Sequence, residues 1–129
     1  MALFTDGSIA TQEDLRGYEN AIYDVAATEG IDLPQKLLLA RQELAVELTA
    51  RLFRDAPEAL GRVVVTPPLH LWHTFQSLVL VYRDAYNSHL NDRYQGKWRE
   101  YERLAKWART SLFDTGVGMV DRPIPRPAL

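Results

Sequence analysis

An almost unbroken apolar stripe in the second half of the chain constrains the fold more than any other feature. Over residues 71–112, apolar side chains recur at steps of three and four, the spacing of one face of an α-helix. One helix over residues 68–112 would be about 68 Å long, whereas a domain of this size has a radius of gyration of about 14 Å. The weakest helix formers lie between residues 87 and 96. The sequence therefore predicts two helices, at about 68–88 and 92–113.

Two further helices are predicted in the first half of the chain. Residues 11–14 have the form of a capping box, and helical spacing follows it to about Thr28. Asp32, as a cap, and Pro34, as an early-turn proline, begin a helix that runs to about Arg54. Apolar residues cover so much of this helix that we expect it to be central and packed on more than one side. The fold class is therefore all-α, a small bundle of about four helices with a long C-terminal helical segment.

A β-branched loop interrupts the helices at residues 63–66, which read Val-Val-Val-Thr. No other segment of the chain is predicted to be a strand. The run is therefore either a loop with extended backbone or an edge that pairs with another subunit. Thr66 is predicted to cap the next helix, which Pro67 and Pro68 enter.

The last thirteen residues are predicted to form an extended, proline-rich arm. Gly118 and three later prolines oppose both helix and interior strand, yet apolar side chains and two arginines distinguish the segment from a solvated linker. The chain divides into a helical domain, residues 1–116, and a docking arm, residues 117–129. The predicted partner-binding residues of the arm are Met119, Val120, Arg122, Pro123, Ile124, Pro125, Arg126, Pro127 and Leu129.

The composition limits the class of protein. The chain of 129 residues has the length of one ordinary domain, and its hydrophobic content of 47% is enough for a core. The absence of cysteine excludes disulfides, a thiolate nucleophile and cysteine-based zinc sites. No apolar run approaches the roughly 20 residues of a membrane span, and no secretory signal is visible. We expect a soluble intracellular protein without membrane association.

The net charge of -2 conceals an asymmetry along the chain. Residues 1–60 carry a net charge of -6 and residues 61–129 carry +4. Such polarity can be satisfied inside one fold, with the first helix lying on the last, or between neighbouring subunits that pack head to tail. Both arrangements remain open. The charged residues considered for a subunit interface are Glu13, Asp14, Glu19, Arg99, Arg103 and Lys106.

Basic and aromatic residues are interleaved over residues 93–109, a composition that can indicate nucleic-acid binding through phosphate contacts and base stacking. However, the aromatic residues Trp98 and Tyr101 fall on the apolar stripe, whereas the basic residues fall beside it. That pattern is typical of an amphipathic helix with a solvated basic side. The residues favour this second interpretation, and passive contact with a phosphate backbone stays as an alternative.

No set of residues in the sequence has the pattern of a catalytic or metal-binding site. His70 and His73 are three apart, a spacing at which two imidazoles can share a metal ion, but no third ligand stands at a suitable distance in the sequence. A capping or half-buried histidine explains each. The chain also lacks the patterns of a nucleophile elbow, a phosphate loop or an acid and base pair. We therefore predict no catalytic, metal or cofactor-binding residues and no enzymatic activity.

In organisation the chain resembles the head-tail connector (adaptor) proteins of tailed bacteriophages and prophages. The resemblance covers most of the chain and depends on helical architecture. The segments that carry it are the early helix from Thr11, the Leu-rich helix over residues 34–54, the stretch 90–94 running into 97–101, and the arm over residues 117–129.

This resemblance implies a structural virion protein in the neck of the particle, assembled in the host cytoplasm. It implies a homo-oligomeric ring, commonly of about twelve copies, which docks beneath the portal protein and continues the DNA channel toward a tail-side protein. DNA would pass through non-specifically, and the arm would reach the portal or a neighbouring subunit. The basic helix would face the acidic first helix of the next subunit. The alternatives are a small helical regulatory or nucleic-acid-binding module that uses residues 93–109, and another tail-completion component.

Overall fold

The computed structural model of this protein describes residues 2–6, 9–90 and 92–120 and confirms the all-α class. None of the helices in these ranges is long and apolar enough to cross a membrane. Two short 3₁₀ segments, Phe4–Asp6 and Pro57–Arg62, accompany five α-helices. These are α1 (Gln12–Tyr18), α2 (Ile22–Glu29), α3 (Leu33–Leu52), α4 (Pro67–His89) and α5 (Asp92–Thr115).

Helix α4 is the central element of the bundle. It forms an antiparallel pair with α5, since Trp72 near its start contacts Phe113 and Tyr86 near its end contacts Trp98. Its buried residues lie on nearly every side of the helix. The expectation that helix 34–54 is central is therefore wrong. Helix α3 packs on α4 through one side only, and its second apolar side is exposed.

The predicted break in the long C-terminal segment is confirmed. Helix α4 ends at His89 and α5 begins at Asp92. Between them, Leu90 adopts the left-handed conformation with φ of 52°, and its N–H donates to the carbonyl of Tyr86. A leucine in this conformation costs about 1 kcal/mol because its Cβ crowds the following carbonyl.

The predicted first helix is divided into α1 and α2. The capping box is present, because Thr11 N–H donates to the Asp14 carboxylate at 2.8 Å and Asp14 N–H donates to the Thr11 hydroxyl at 3.3 Å. The helix then ends early, as Glu19 takes an extended backbone and Asn20 starts a turn. This break turns the Glu19 carboxylate onto α5, which a continuous helix would not have allowed.

The predicted caps of α3 and α4 differ in outcome. Asp32 accepts from Gln35 N–H at 3.2 Å with Pro34 in the first turn, as predicted. Thr66 occupies the N-cap position of α4 but makes no capping bond, and its hydroxyl oxygen is buried without a hydrogen-bond partner among the described residues. Pro68 removes the donor at the second position of α4, and Thr66 does not accept from Leu69 at the third, the position that Gln35 occupies in the cap of α3.

The β-branched run pairs with both ends of its own chain. Val64 forms an antiparallel bridge with Leu3, and Val63 forms one with Met119. Phe4 N–H donates to Val63 O and Val64 N–H donates to Gly118 O, both at 2.8 Å. We call this arrangement of residues 2–4, 62–65 and 118–120 the terminal clasp. The expectation that the run has no partner within the chain is therefore wrong, and both of its edges are occupied.

Candidate interaction surfaces

Glu19 joins the acidic first half of the chain to the basic last helix. Its side chain is only 13% exposed, and Lys97 Nζ donates to it at 2.8 Å. The Tyr101 hydroxyl donates to the same carboxylate oxygen. Burial first, and then this carboxylate, raises the pKa of both Tyr82 and Tyr101 well above the ordinary value. Part of the charge asymmetry is therefore satisfied inside the fold, and Glu19 faces its own α5.

The Asp14 carboxylate also has its hydrogen-bond partners within the chain. Its carboxylate lies 3.1 Å from His70 Nε2 and accepts from Thr11. Although partial burial acts in the opposite direction, the hydrogen bonds from Thr11 and His70 hold the pKa of Asp14 below its ordinary value. Of the three acids proposed for an interface, only Glu13 points outward.

The two histidines whose spacing would allow a shared metal ion form hydrogen bonds with different parts of the chain instead. His70 contacts Asp14, whereas His73 is buried and accepts from Ala10 N–H at 3.0 Å. The other ring nitrogen of His73 donates to Leu37 O at 2.8 Å. In the described part of the chain, no group of three or more potential metal ligands comes together.

One exposed surface, which we call the acidic face, is formed by Glu13, Tyr23 and Asp24. The Glu13 side chain is 71% exposed and accepts from the Tyr23 hydroxyl at 2.8 Å, which raises the pKa of Tyr23. The only cation in reach of Glu13 among the described residues is Arg16, at 3.6 Å. Asp24 is exposed and forms no ion pair with any described residue. Helices α1 and α2 therefore present a net negative charge next to an exposed aromatic ring.

A second surface, the basic face, is formed on α5 by Arg99, Arg103, Lys106 and Trp107. Their spacing places them together on the side away from the buried stripe, as predicted for the three bases. Arg103 pairs with Glu100 at 2.7 Å, whereas Arg99 and Lys106 form no ion pair with any described residue. Trp107 is 54% exposed. The exposure of Trp107 was not predicted. Its spacing could have indicated it, because a residue nine positions after the inward-facing Trp98 lies on the opposite side of the helix.

A third surface, the apolar face, runs along the outside of α3. Val46 is 69% exposed, and the neutral side chains of Gln42 and Thr49 share this side of the helix. Beside it, Leu39, Val46 and Leu80 line an open groove of about 390 Å³. Leu39 is also exposed on this side, whereas Leu38 and Leu52 are exposed elsewhere around the same helix.

An open cleft of about 400 Å³ lies where α2 meets α4 and α5. Tyr82 and Tyr94 form its apolar wall, and Glu19 and Lys97 stand on its polar side. Glu19 and Lys97 bind each other, and the other charged residues that line the cleft are Asp24 and Arg93. The cleft separates α2, with the acidic face, from the start of α5.

Only the first residues of the predicted arm, up to Val120, lie within the described residues. Met119 lies opposite Val63, Val120 N–H donates to Arg62 O at 2.9 Å, and Arg62 Nε donates to Val120 O at 2.8 Å. The first residues of the arm are thus paired with their own helical domain. The remaining predicted arm residues, Arg122, Pro123, Ile124, Pro125, Arg126, Pro127 and Leu129, lie outside the described residues.

Comparisons with protein-family models, with curated proteins and with solved structures found no match for this chain.

Proposed function

We propose that this protein is a structural adaptor of a phage or prophage virion that assembles into a ring in the neck, between the portal protein and the tail. One observation carries the proposal: a single subunit exposes an acidic face, a basic face and an apolar face. A ring closed by head-to-tail contacts needs two different and complementary surfaces on each subunit. Contacts with a portal protein above and a tail-side protein below need further surface.

The arm adds a docking element to this subunit. The terminal clasp fixes Val120 beside Arg62 on the helical domain, directly before residues 121–129 in the sequence. Ile124 and Leu129 supply apolar anchors, and Arg122 and Arg126 supply charge for an acidic partner. Prolines between them lower the entropy lost on binding. In this proposal the arm reaches the portal or a neighbouring subunit, and the ring surrounds DNA that passes without sequence-specific contact.

Mass measurement tests the proposal directly. The isolated protein should form a closed species whose mass is a whole multiple of 14.7 kDa. Purified particles should contain the protein, and particles made without it should have filled heads that lack tails. A protein that stays monomeric at high concentration and is absent from particles would overturn the proposal. A protein found only in free tails would instead indicate a tail-completion component.

Trp107 on the basic face favours a second candidate function, a nucleic-acid-binding module. An exposed indole can stack on a base while nearby cations bind phosphates. Binding to DNA or RNA would then weaken steeply with salt, and the variant Arg99→Gln, Arg103→Gln, Lys106→Gln would lose it. The slope of log K against log salt would become less negative by about 2–3 for these three cations.

A further inference from the structure

We infer that the basic face of one copy docks on the acidic face of the next copy. This inference rests on the proposed ring and names its subunit contact. Both faces are exposed on the same subunit and do not overlap. Because they differ, the contact is heterologous, and its repetition closes the proposed ring when the rotation between successive copies divides a full turn.

The opposite charges of the two faces remain after all internal pairing. Residues 12–29 contain five acids and one base, and the internal contacts engage Asp14 and Glu19. Glu13 and Asp24 remain outward, and because only Glu13 has a nearby base, Arg16, the face keeps a net negative charge. On α5, Lys97 pairs with Glu19 and Arg109 pairs with Glu47.

Of the other cations on α5, Arg93 contacts Tyr94 and Arg103 pairs with Glu100, both within the subunit. Arg99 and Lys106 are exposed and form no ion pair with any residue the structure describes. An acidic partner surface would compensate them, and the acidic face of a second copy has that charge. Complementary charge of this kind sets the orientation of the contact and accelerates association.

Each face also carries an exposed aromatic residue. Trp107 and Tyr23 both stand outside the core of their own subunit. Tryptophan and tyrosine dominate the energetics of protein interfaces, where the burial of a large ring accompanies a polar contact at its edge. Trp107 next to Lys106 and Tyr23 bonded to Glu13 fit this arrangement.

The acids of α5 favour a protein partner over DNA. Glu100 pairs with Arg103 within the basic face, and Glu102 is exposed on the neighbouring side of the helix. These carboxylates would repel phosphates. A protein partner of mixed charge can place a base or a neutral group opposite them. A basic face that binds DNA and does not contribute to assembly would therefore overturn the inference.

The test uses charge reversal in two full-length variants. The first reverses the basic face, with Arg99→Glu and Lys106→Glu. The second reverses the acidic face, with Glu13→Lys and Asp24→Lys. In each variant alone, like charges meet at every contact, and we expect the concentration for half-assembly to rise at least tenfold. In an equimolar mixture the two variants alternate, every contact joins opposite charges, and assembly returns to within threefold of wild type.

One control variant and one further variant make the result specific. The variant Arg54→Glu with Glu58→Lys reverses exposed charges outside both faces and should assemble like wild type. Trp107→Ala tests the aromatic contribution and should also weaken assembly at least tenfold. Circular dichroism and unfolding midpoints equal to wild type will show that the variants fold, because all the substituted side chains are exposed.

The outcomes separate this inference from the proposed function. If wild type assembles and both variants assemble equally well, the contact lies elsewhere, so the inference is overturned while the ring stands. If wild type is monomeric in solution and in particles, the proposed function fails and the inference fails with it. If the basic-face variant loses DNA binding without any change in assembly, the face serves DNA and the inference is overturned.

Discussion

The main-chain N–H of Ala10 donates to Nδ1 of His73 across 3.0 Å, which fastens the segment before α1 to the buried side of α4. Nε2 of the same ring donates to Leu37 O at 2.8 Å, at the start of α3. One imidazole thus holds three parts of the chain together. Only a neutral ring can accept from Ala10, since both nitrogens of a protonated ring are donors.

The free energy of unfolding should fall as the pH drops below about 6.5, the ordinary pKa of histidine. Burial lowers the pKa of His73 in the folded protein. Between that lowered pKa and about 6.5, the unfolded chain binds a proton that the folded chain does not, so acid favours unfolding. The expected loss from this group is at most about 1.4 kcal/mol per pH unit. Urea unfolding at pH 7.5 and pH 5.5 measures it.

His73→Gln is the matched control for this titration. A glutamine amide can accept from Ala10 and donate to Leu37 but does not titrate. The variant should therefore lose much less stability than wild type between pH 7.5 and pH 5.5. An equal loss in the two proteins would show that other groups cause the pH dependence.

Loss of the Glu19 carboxylate should destabilise the fold more than loss of its cation. Glu19→Ala leaves the hydroxyl of the buried Tyr101 without its acceptor, and we expect a cost of about 2 kcal/mol. Lys97→Met removes a half-exposed ammonium, and we expect a cost of about 0.5 kcal/mol. Chemical unfolding at pH 7 compares the two. Equal costs would indicate that the ion pair, and not the tyrosine hydrogen bond, is the stabilising contact.

Leu90→Gly should raise the free energy of unfolding by about 0.5–1 kcal/mol, because glycine adopts the left-handed conformation without strain. The leucine side chain is mostly exposed, so little packing is lost. Gly30→Ala is the reverse test: φ is 67° there and no heavy atom lies within 4 Å of the added Cβ. We expect it to lose about 1 kcal/mol. A neutral result for both variants in thermal unfolding would contradict the backbone argument.

Two truncations should separate the arm's docking from its pairing with the domain. Deletion of residues 121–129 removes the proposed anchors but keeps Met119 and Val120, so we expect unchanged unfolding and loss of assembly. Deletion of residues 119–129 also removes both bonds between Val120 and Arg62, and we expect a further cost of about 1–3 kcal/mol. Denaturant unfolding and native mass measurement on each protein give the comparison. If the protein that lacks only residues 121–129 is unfolded, the arm packs on its own domain.

Several helix ends were predictable because their signals are local, although the end of α1 at Tyr18 was missed. Asp32 with Pro34 and the glycines after α2 and α5 act within a few residues of the positions they determine. The central position of α4 was not predictable in this way. Thr74 and Ser77 are buried there, and each hydroxyl donates to the carbonyl four residues earlier. Such residues appear polar in the sequence although their hydrogen bonds are satisfied within the helix.

The surfaces were predictable only in part. Helical spacing correctly placed Arg99, Arg103 and Lys106 on the outside of α5. It missed the burial of Glu19, because that burial depends on the turn at Asn20 and on α5, about 80 residues later. The pairing of Val63 with Met119 was missed for the same reason, since hydrogen bonds between distant segments leave no periodic pattern.

The terminal clasp has a consequence for the order of events during synthesis. Leu3 and Met119 are far apart in the sequence, on either side of the helices, yet they pair with Val64 and Val63 respectively. The helices can pack as they emerge from the ribosome, whereas the contact with Met119 forms only after all five helices have been made. Residues 121–129 follow directly after it. In the proposed adaptor, a subunit would therefore present its arm only after the helices that form the terminal clasp's framework have been made.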